Sequence, residues 1–240
     1  MKTMKIKLGM FFAVLLVGLV ACDDDFGIVG NGRPETETRS ARYFNELSSS
    51  GSFNVYVSQG EERSIEITAE SNLLPYIETD FDGDRLRIRT LGMHTLHETY
   101  PINIYLVTPD LEELVLSGSG RIETESFAAD QFSVVVSGSG EIVTSVNADE
   151  LDAVISGSGK IFLEGACGEA EMGISGSGII DAYDLAAGDC KVVVSGSGSA
   201  WVNVEDNLDV RISGSGNVHY INFPYVTSST SGSGQVINEN

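Results

Sequence analysis

The tetrapeptide Ser-Gly-Ser-Gly recurs seven times, beginning at Ser117, Ser137, Ser156, Ser175, Ser195, Ser213 and Ser231, at intervals of 20, 19, 19, 20, 18 and 18 residues. A fixed period of this length marks a repeat architecture, in which no unit buries its apolar face alone. The flanks repeat too. One residue before the motif stand Leu116, Val136, Ile155, Ile174, Val194 and Ile212, and three before stand Leu114, Val134, Ala153, Met172, Val192 and Val210. Five before stand Phe132, Leu151, Ala170, Cys190, Leu208 and Val226, while the residue four before is polar throughout. An aliphatic column also follows each motif: Ile122, Ile142, Ile161, Ile180, Ala200, Val218 and Val236. Alternation with period two describes a strand with one face inward. Each unit therefore reads as two short strands, one Ser-Gly-Ser-Gly turn and one variable turn.

The motifs hold 14 of the 27 glycines: Gly118, Gly120, Gly138, Gly140, Gly157, Gly159, Gly176, Gly178, Gly196, Gly198, Gly214, Gly216, Gly232 and Gly234. These are assigned as structural turns, because a sharp reversal requires positive φ, which costs glycine little. If units coil in parallel, equivalent serines lie about 4.8 Å apart and form a hydroxyl ladder. The fold class expected is all-β: a right-handed parallel β-helix or solenoid, flattened into a two-sheet superhelix. The alternative is an antiparallel meander with Ser-Gly-Ser-Gly hairpins. It accounts for the alternation but not for every turn column matching.

Residues 41–116 lack the motif yet also read as β, and are expected to start or cap the 117–240 solenoid. Phe53-Asn54-Val55-Tyr56-Val57 alternates, and Asp82-Gly83 is a hairpin signal. At the far end Ser228 and Thr230 replace aliphatics, so the last coil is polar, which discourages end-to-end aggregation. Residues 1–21 read as a signal peptide, with Lys2, Lys5 and Lys7 ahead of the apolar run Leu8 to Val20. The run is shorter than the roughly 20 residues that span a bilayer. It ends in Leu19-Val20-Ala21-Cys22, which resembles the lipobox of bacterial lipoproteins and implies lipid attachment at Cys22. The polar, glycine-containing residues 22–40 read as a flexible tether.

Seven such turns, behind a Phe-Asn-Val-Tyr-Val strand and the lead-in Leu111-Glu112-Glu113-Leu114-Val115-Leu116, resemble the auto-transporter adhesin family with the "head GIN" domain. The resemblance covers about residues 41–234. It implies a two-sheet β superhelix, similar to pectin lyases but without retained catalytic residues, and a role in adhesion. The chain shows no translocator barrel, so the lipid at Cys22 is expected to take the barrel's place.

Charge narrows the partners. The net charge is -21, and a chain starting at Cys22 carries 11 bases against 35 acids, or -24. That excludes a phosphate-binding nucleic-acid surface and electrostatic docking on an anionic membrane. No catalytic residues, metal ligands or cofactors are assigned. Lys160 and Lys191 lie on different strands of their units, with no matching stack of acids. His94-Thr95-Leu96-His97-Glu98 reads as a loop, and Asp80-Phe81-Asp82-Gly83-Asp84 as a solvated hairpin rather than a calcium loop. Cys167 and Cys190 differ in register and read as small buried hydrophobes, with pairing left open.

Two outward features remain. Val115, Val135, Val154 and Val193, two residues before the motif, form either an exposed interface ladder or a strand face covered by another part of the chain. Trp201 and Phe162, with Val143 in the same register, form either an outward strip for stacking on sugars or the edge of the core. The functional expectation is a non-enzymatic, surface-exposed lipoprotein of the outer membrane or cell surface. It would bind a glycan or a matrix protein. The alternatives are a self-associating envelope protein, as a homo-oligomer, and a degenerate polysaccharide-active enzyme.

Overall fold

The computed structural model describes residues 27–240. The signal segment and Cys22 lie outside them. Five consecutive strands, Arg121–Gly138, Glu141–Gly157, Lys160–Gly176, Ile179–Gly196 and Ser199–Gly214, each form one coil. Each lies parallel and in register on the one before, so that Val136 faces Ile155, Ile155 faces Ile174, Ile174 faces Val194 and Val194 faces Ile212. The fold is an all-β parallel solenoid, and parallel pairing excludes the meander. The coil is less divided than the alternation implies. Pairing runs on through the variable corner, where Val146 faces both Phe127 and Gly165, and slips only locally, as between Ala182 and Ala186. The inward columns merge into one continuous buried core, from Leu114 and Leu116 through Val192, Val194, Val210 and Ile212. Each fully buried aliphatic side chain contributes about 1.5–3 kcal/mol. Among the described residues no helix is long and apolar enough to cross a membrane.

The two glycines of the motif are there for different reasons. The first has positive φ in every unit, as at Gly176 with +124°. The second does not. A Cβ on Gly178 would lie 2.5 Å from Ile155 Cγ2 and 2.9 Å from the Gly159 carbonyl oxygen, so stacking, not φ, excludes a side chain there. The expected serine hydroxyl ladder is mainly replaced by main-chain bonds. Ser215 and Ser233 hydroxyls lie 3.4 Å apart, but the contact common to the turns runs from a serine N–H to the carbonyl of the first glycine one coil back, as from Ser177 to Gly157 at 2.9 Å.

Residues 41–116 both begin the solenoid and cap it. Glu46–Gly51 pairs in parallel with Glu113–Gly118, aligning Gly51 with Gly118. Ser50-Gly51-Ser52-Phe53 is thus a further turn of the series with phenylalanine in the last place. Asn54–Gln59 inserts between Asn103–Thr108 and the start of the first full coil. Two antiparallel additions close this end: Ser64–Glu70 on Asn103–Thr108, and the hairpin Ile77–Asp82 with Arg85–Thr90. The hairpin turns at Gly83, with φ +64°, as its Asp82-Gly83 signal implies.

The tether reading is corrected for the described part of 22–40. Gly27–Val29 pairs in parallel with Thr95–His97, and Pro34–Arg39 adds an antiparallel edge strand to Ser64–Glu70. Pro34–Arg39 has no apolar residue to mark it as a strand. Main-chain bonds and side-chain anchors hold it, including Arg39 Nη2 to the Leu74 carbonyl at 3.1 Å and Thr36 to Thr68 at 2.9 Å. Glu70 fastens the corner. It is fully buried and accepts hydrogen bonds from the N–H (2.8 Å) and hydroxyl (2.7 Å) of Thr99 and from the Gly32 N–H. Burial pushes its pKa up, but bonds from Thr99, Gly32 and Tyr100 outweigh this and hold it below the ordinary 4.5. A lowered carboxylate pKa stabilises the fold above the unfolded value, and that contribution is lost as pH falls through the folded value. Glu70→Gln should therefore raise amide exchange at Gly32 and Thr99 at pH 7, corrected for intrinsic rates. The difference from the native chain should shrink only below pH 4.5. Equal exchange at pH 7 would contradict the fastening role.

Candidate ligand-binding face

The strand alternation that buries one set of columns turns the other set outward. On the sheet that follows the motif, one outward column runs through Tyr105, Tyr56, Glu123, Val143, Phe162, Asp181, Trp201, His219 and Ile237, each the in-register partner of the next. All are half-buried or exposed, while their chain neighbours Val55, Ile122, Ile142, Ile161, Ile180, Ala200 and Val218 are buried. Phe162 and Trp201 therefore belong to an outward strip and not to the edge of the core. Eight rung steps make the column about 38 Å long.

Rings cluster at both ends of the column. Tyr56 and Tyr105 stack with centroids 5.2 Å apart, and Trp201 stacks on His219 at 5.0 Å with an interplanar angle of 11°. His219 Nδ1 lies 2.7 Å from a Glu239 carboxylate oxygen, which fixes the imidazole beneath the indole. Phe162 sits two rungs from Trp201, about 9.6 Å away. Polar side chains line the turn side of the strip: Asn54 donates to Asn103 at 3.1 Å, and Arg121 pairs with Glu123 at 3.1 Å and with Glu141. Within each pair the ring faces are turned to one another, so the strip offers ring edges with polar groups beside them, which suits a ligand that has both apolar and hydroxyl-bearing surface. The sequence repeat carries Val143, Phe162 and Trp201. It misses Tyr56 and Tyr105, because they lie in coils without the full motif.

The opposite sheet carries the valine column. Val115, Val135, Val154 and Val193 point outward, with Gly173 between the last two and Arg211 beyond. Val154 is 43% exposed, and the others are half-buried. For the described residues, the reading in which another part of the chain covers this face is corrected: the N-terminal strands extend the sheet edgewise, at Glu46–Gly51, and do not lie over it. Beside the valines an open groove is lined by Glu150, Asp152, Glu169, Glu171, Asp189 and Asp209. Lys191 does stand in a column of acids here, with Asp152, Glu171 and Asp209, contrary to the sequence expectation. Its ammonium is paired with Glu171 at 2.6 Å.

The remaining sequence candidates resolve into structure. Among the described residues no three His, Cys, Asp or Glu side chains converge as a metal site. Residues 95–97 form a short strand rather than a loop, and His94 sets its ring edge-on to Tyr76 at 5.0 Å. Asp80 and Asp82 pair with Arg87, at 3.0 and 3.2 Å. Cys167 and Cys190 are free, buried thiols. Burial pushes Cys167 up to about 11 and Cys190 to about 12, the latter with a smaller contribution from Cys167, so both remain protonated.

The family model described as "Putative auto-transporter adhesin, head GIN domain" matches residues 43–224. The chain belongs to this family. Solved structures share the solenoid fold. A "putative adhesin" from Bacteroides fragilis NCTC 9343 shares the fold with a TM-score of 0.81 at 20% identity, covering 88% of this chain and 100% of its own. A "Putative lipid binding protein" from Parabacteroides distasonis ATCC 8503 has a TM-score of 0.76 at 25% identity, with 89% and 100% covered. A "putative adhesin" from Parabacteroides merdae ATCC 43184 has a TM-score of 0.68 at 26% identity, with 89% and 99% covered. No curated protein matches the chain. The head GIN assignment agrees with a surface or exported protein.

Proposed function

We propose that this head GIN protein is a non-enzymatic adhesin-like module, held at the cell surface through a lipid on Cys22, whose ring-bearing face binds an extended glycan. The observation that carries the reading is the outward column of Tyr105, Tyr56, Phe162, Trp201 and His219 along one sheet. A polysaccharide laid along the solenoid axis crosses the outward edges of the two stacked pairs, Tyr105–Tyr56 and Trp201–His219, and the Phe162 ring between them, while its hydroxyls reach Asn54, Asn103, Arg121 and Lys160 at the side. A rigid sheet presents these rings without the ordering cost that a loop would incur.

Trp201 is the chain's single tryptophan, so its fluorescence reports on this face alone. In a screen of soluble polysaccharides a binding glycan should shift that emission. Losing one ring contact, about 1.4 kcal/mol, lowers affinity about tenfold. Calorimetry should show that loss for Trp201→Ala and for Phe162→Ala, with unchanged melting curves. Binding that is indifferent to both substitutions would contradict the reading.

The uncovered valine column favours a second reading, self-association through the opposite sheet. Its substitution test is given in the Discussion.

A further inference from the structure

We propose that the flap made by Gly27–Val29 and Thr95–His97 seats on the bilayer that carries the Cys22 lipid, so that the solenoid stands on its N-terminal end. The inference rests on the anchoring part of the proposed function.

Half of the large apolar side chains exposed among the described residues belong to this flap or flank it: Val29 at 65%, Leu91 at 43%, Met93 at 89% and Tyr100 at 51%. Leu91 and Met93 precede the second strand of the flap and Tyr100 follows it, while Val29 ends the first. Val29 faces His97, and the Gly30 N–H donates to the His97 carbonyl at 2.9 Å. Ile28 and Leu96 turn inward and pack on the core, so the flap is held to the body by one side and leaves Val29 on the other. Glu70 ties Gly32 and Thr99 at its base. The apolar side chains are thus displayed on a fastened element.

Covalent reach selects the occupant. Gly27 is five residues from Cys22, which span at most about 18 Å. With acyl chains on Cys22, Gly27 stays within about 18 Å of the acyl boundary, so the flap is the part of the body nearest the membrane. Met93, Leu91 and Val29 then enter the acyl boundary, and Tyr100 sits where tyrosine is favoured, with its ring in the apolar layer and its hydroxyl in water. The point of attachment sets the orientation. The lipid joins the chain at Cys22, ahead of the flap, and the flap's second segment, residues 91–101, contains one acid, Glu98. The N-terminal end therefore faces the membrane and the repeats extend away from it. A standing solenoid holds its ring-bearing face perpendicular to the membrane, open along its whole length.

The test uses the full acylated chain in phosphatidylcholine–phosphatidylethanolamine vesicles, with and without brominated acyl chains. In a Trp201→Phe background, Met93→Trp supplies one reporter on the flap and Tyr225→Trp another on the last coil. Brominated lipid should quench the Met93→Trp emission at least twofold and leave the Tyr225→Trp emission unchanged. Equal emission changes at the two positions would overturn the seating. So would a dimer, by light scattering, in which the flap reporter is shielded from water yet unquenched, because a second copy would then be the occupant. Fractionation separates the two claims. If Cys22→Ser releases the chain but the flap reporter on the acylated protein is not quenched, anchoring stands and the seating falls. If the native chain carries no acyl group, both fall.

Discussion

Val192→Asp unfolds the solenoid or prevents its accumulation, while Val193→Asp, one residue along, leaves it folded. Val192 has no exposed surface and lies between Met172 and Val210 in the core column. An unpaired carboxylate there has no hydrogen-bonding partner and costs several kcal/mol. The whole stability of a domain is about 5–15 kcal/mol. Val193 faces outward between Gly173 and Arg211, where a carboxylate stays hydrated and has a guanidinium one rung away. Circular dichroism melts should separate the variants by tens of degrees or show no folded Val192→Asp at all. Light scattering on Val193→Asp decides the second reading: conversion of an oligomer to a monomer supports self-association through the valine column, and an unchanged mass removes it. A folded Val192→Asp beside an unfolded Val193→Asp would contradict the inward–outward assignment of every coil.

Gly176→Val has the second large effect, through the main chain. Gly176 has φ +124°, where a β-branched residue is strained by about 1–3 kcal/mol. Its Cβ would also lie 2.4 Å from the Gly157 carbonyl oxygen, the acceptor of the Ser177 N–H bond that joins the two coils. Neither group is a flexible side chain that can turn away, so the coils must separate locally. Glu171→Ala, by comparison, removes an exposed ion pair with Lys191, worth about 0–1 kcal/mol. Urea unfolding midpoints should rank Gly176→Val well below Glu171→Ala, and equal midpoints would contradict the turn geometry.

The parallel coil was legible because seven matching turns and five residue columns admit few other arrangements. The columns also contained more than spacing alone disclosed. Asp152, Glu171, Lys191 and Asp209 occupy the same register position in successive units, and stacking makes them neighbours. Glycine identity was legible, but its cause was not: Gly176 answers to φ and to the coil beneath it, Gly178 to the coil beneath it alone, and both appear in sequence as the same residue. Pro34–Arg39 was invisible as a strand because an edge strand held by main-chain bonds needs no apolar alternation. The ring-bearing column was half legible. Val143, Phe162 and Trp201 share a repeat position, whereas Tyr56 and Tyr105 join them through strands that interleave out of chain order, Asn103–Thr108 lying beneath Asn54–Gln59.

Hydroxyl-radical footprinting with a bound polysaccharide tests the ring-bearing face most directly, because it reads side chains on both sheets in one experiment. Oxidation should fall at Tyr56, Tyr105, Phe162 and Trp201 when the glycan binds, and remain unchanged at Val115, Val135, Val154 and Val193. Protection of the valines with the rings still open would contradict the account.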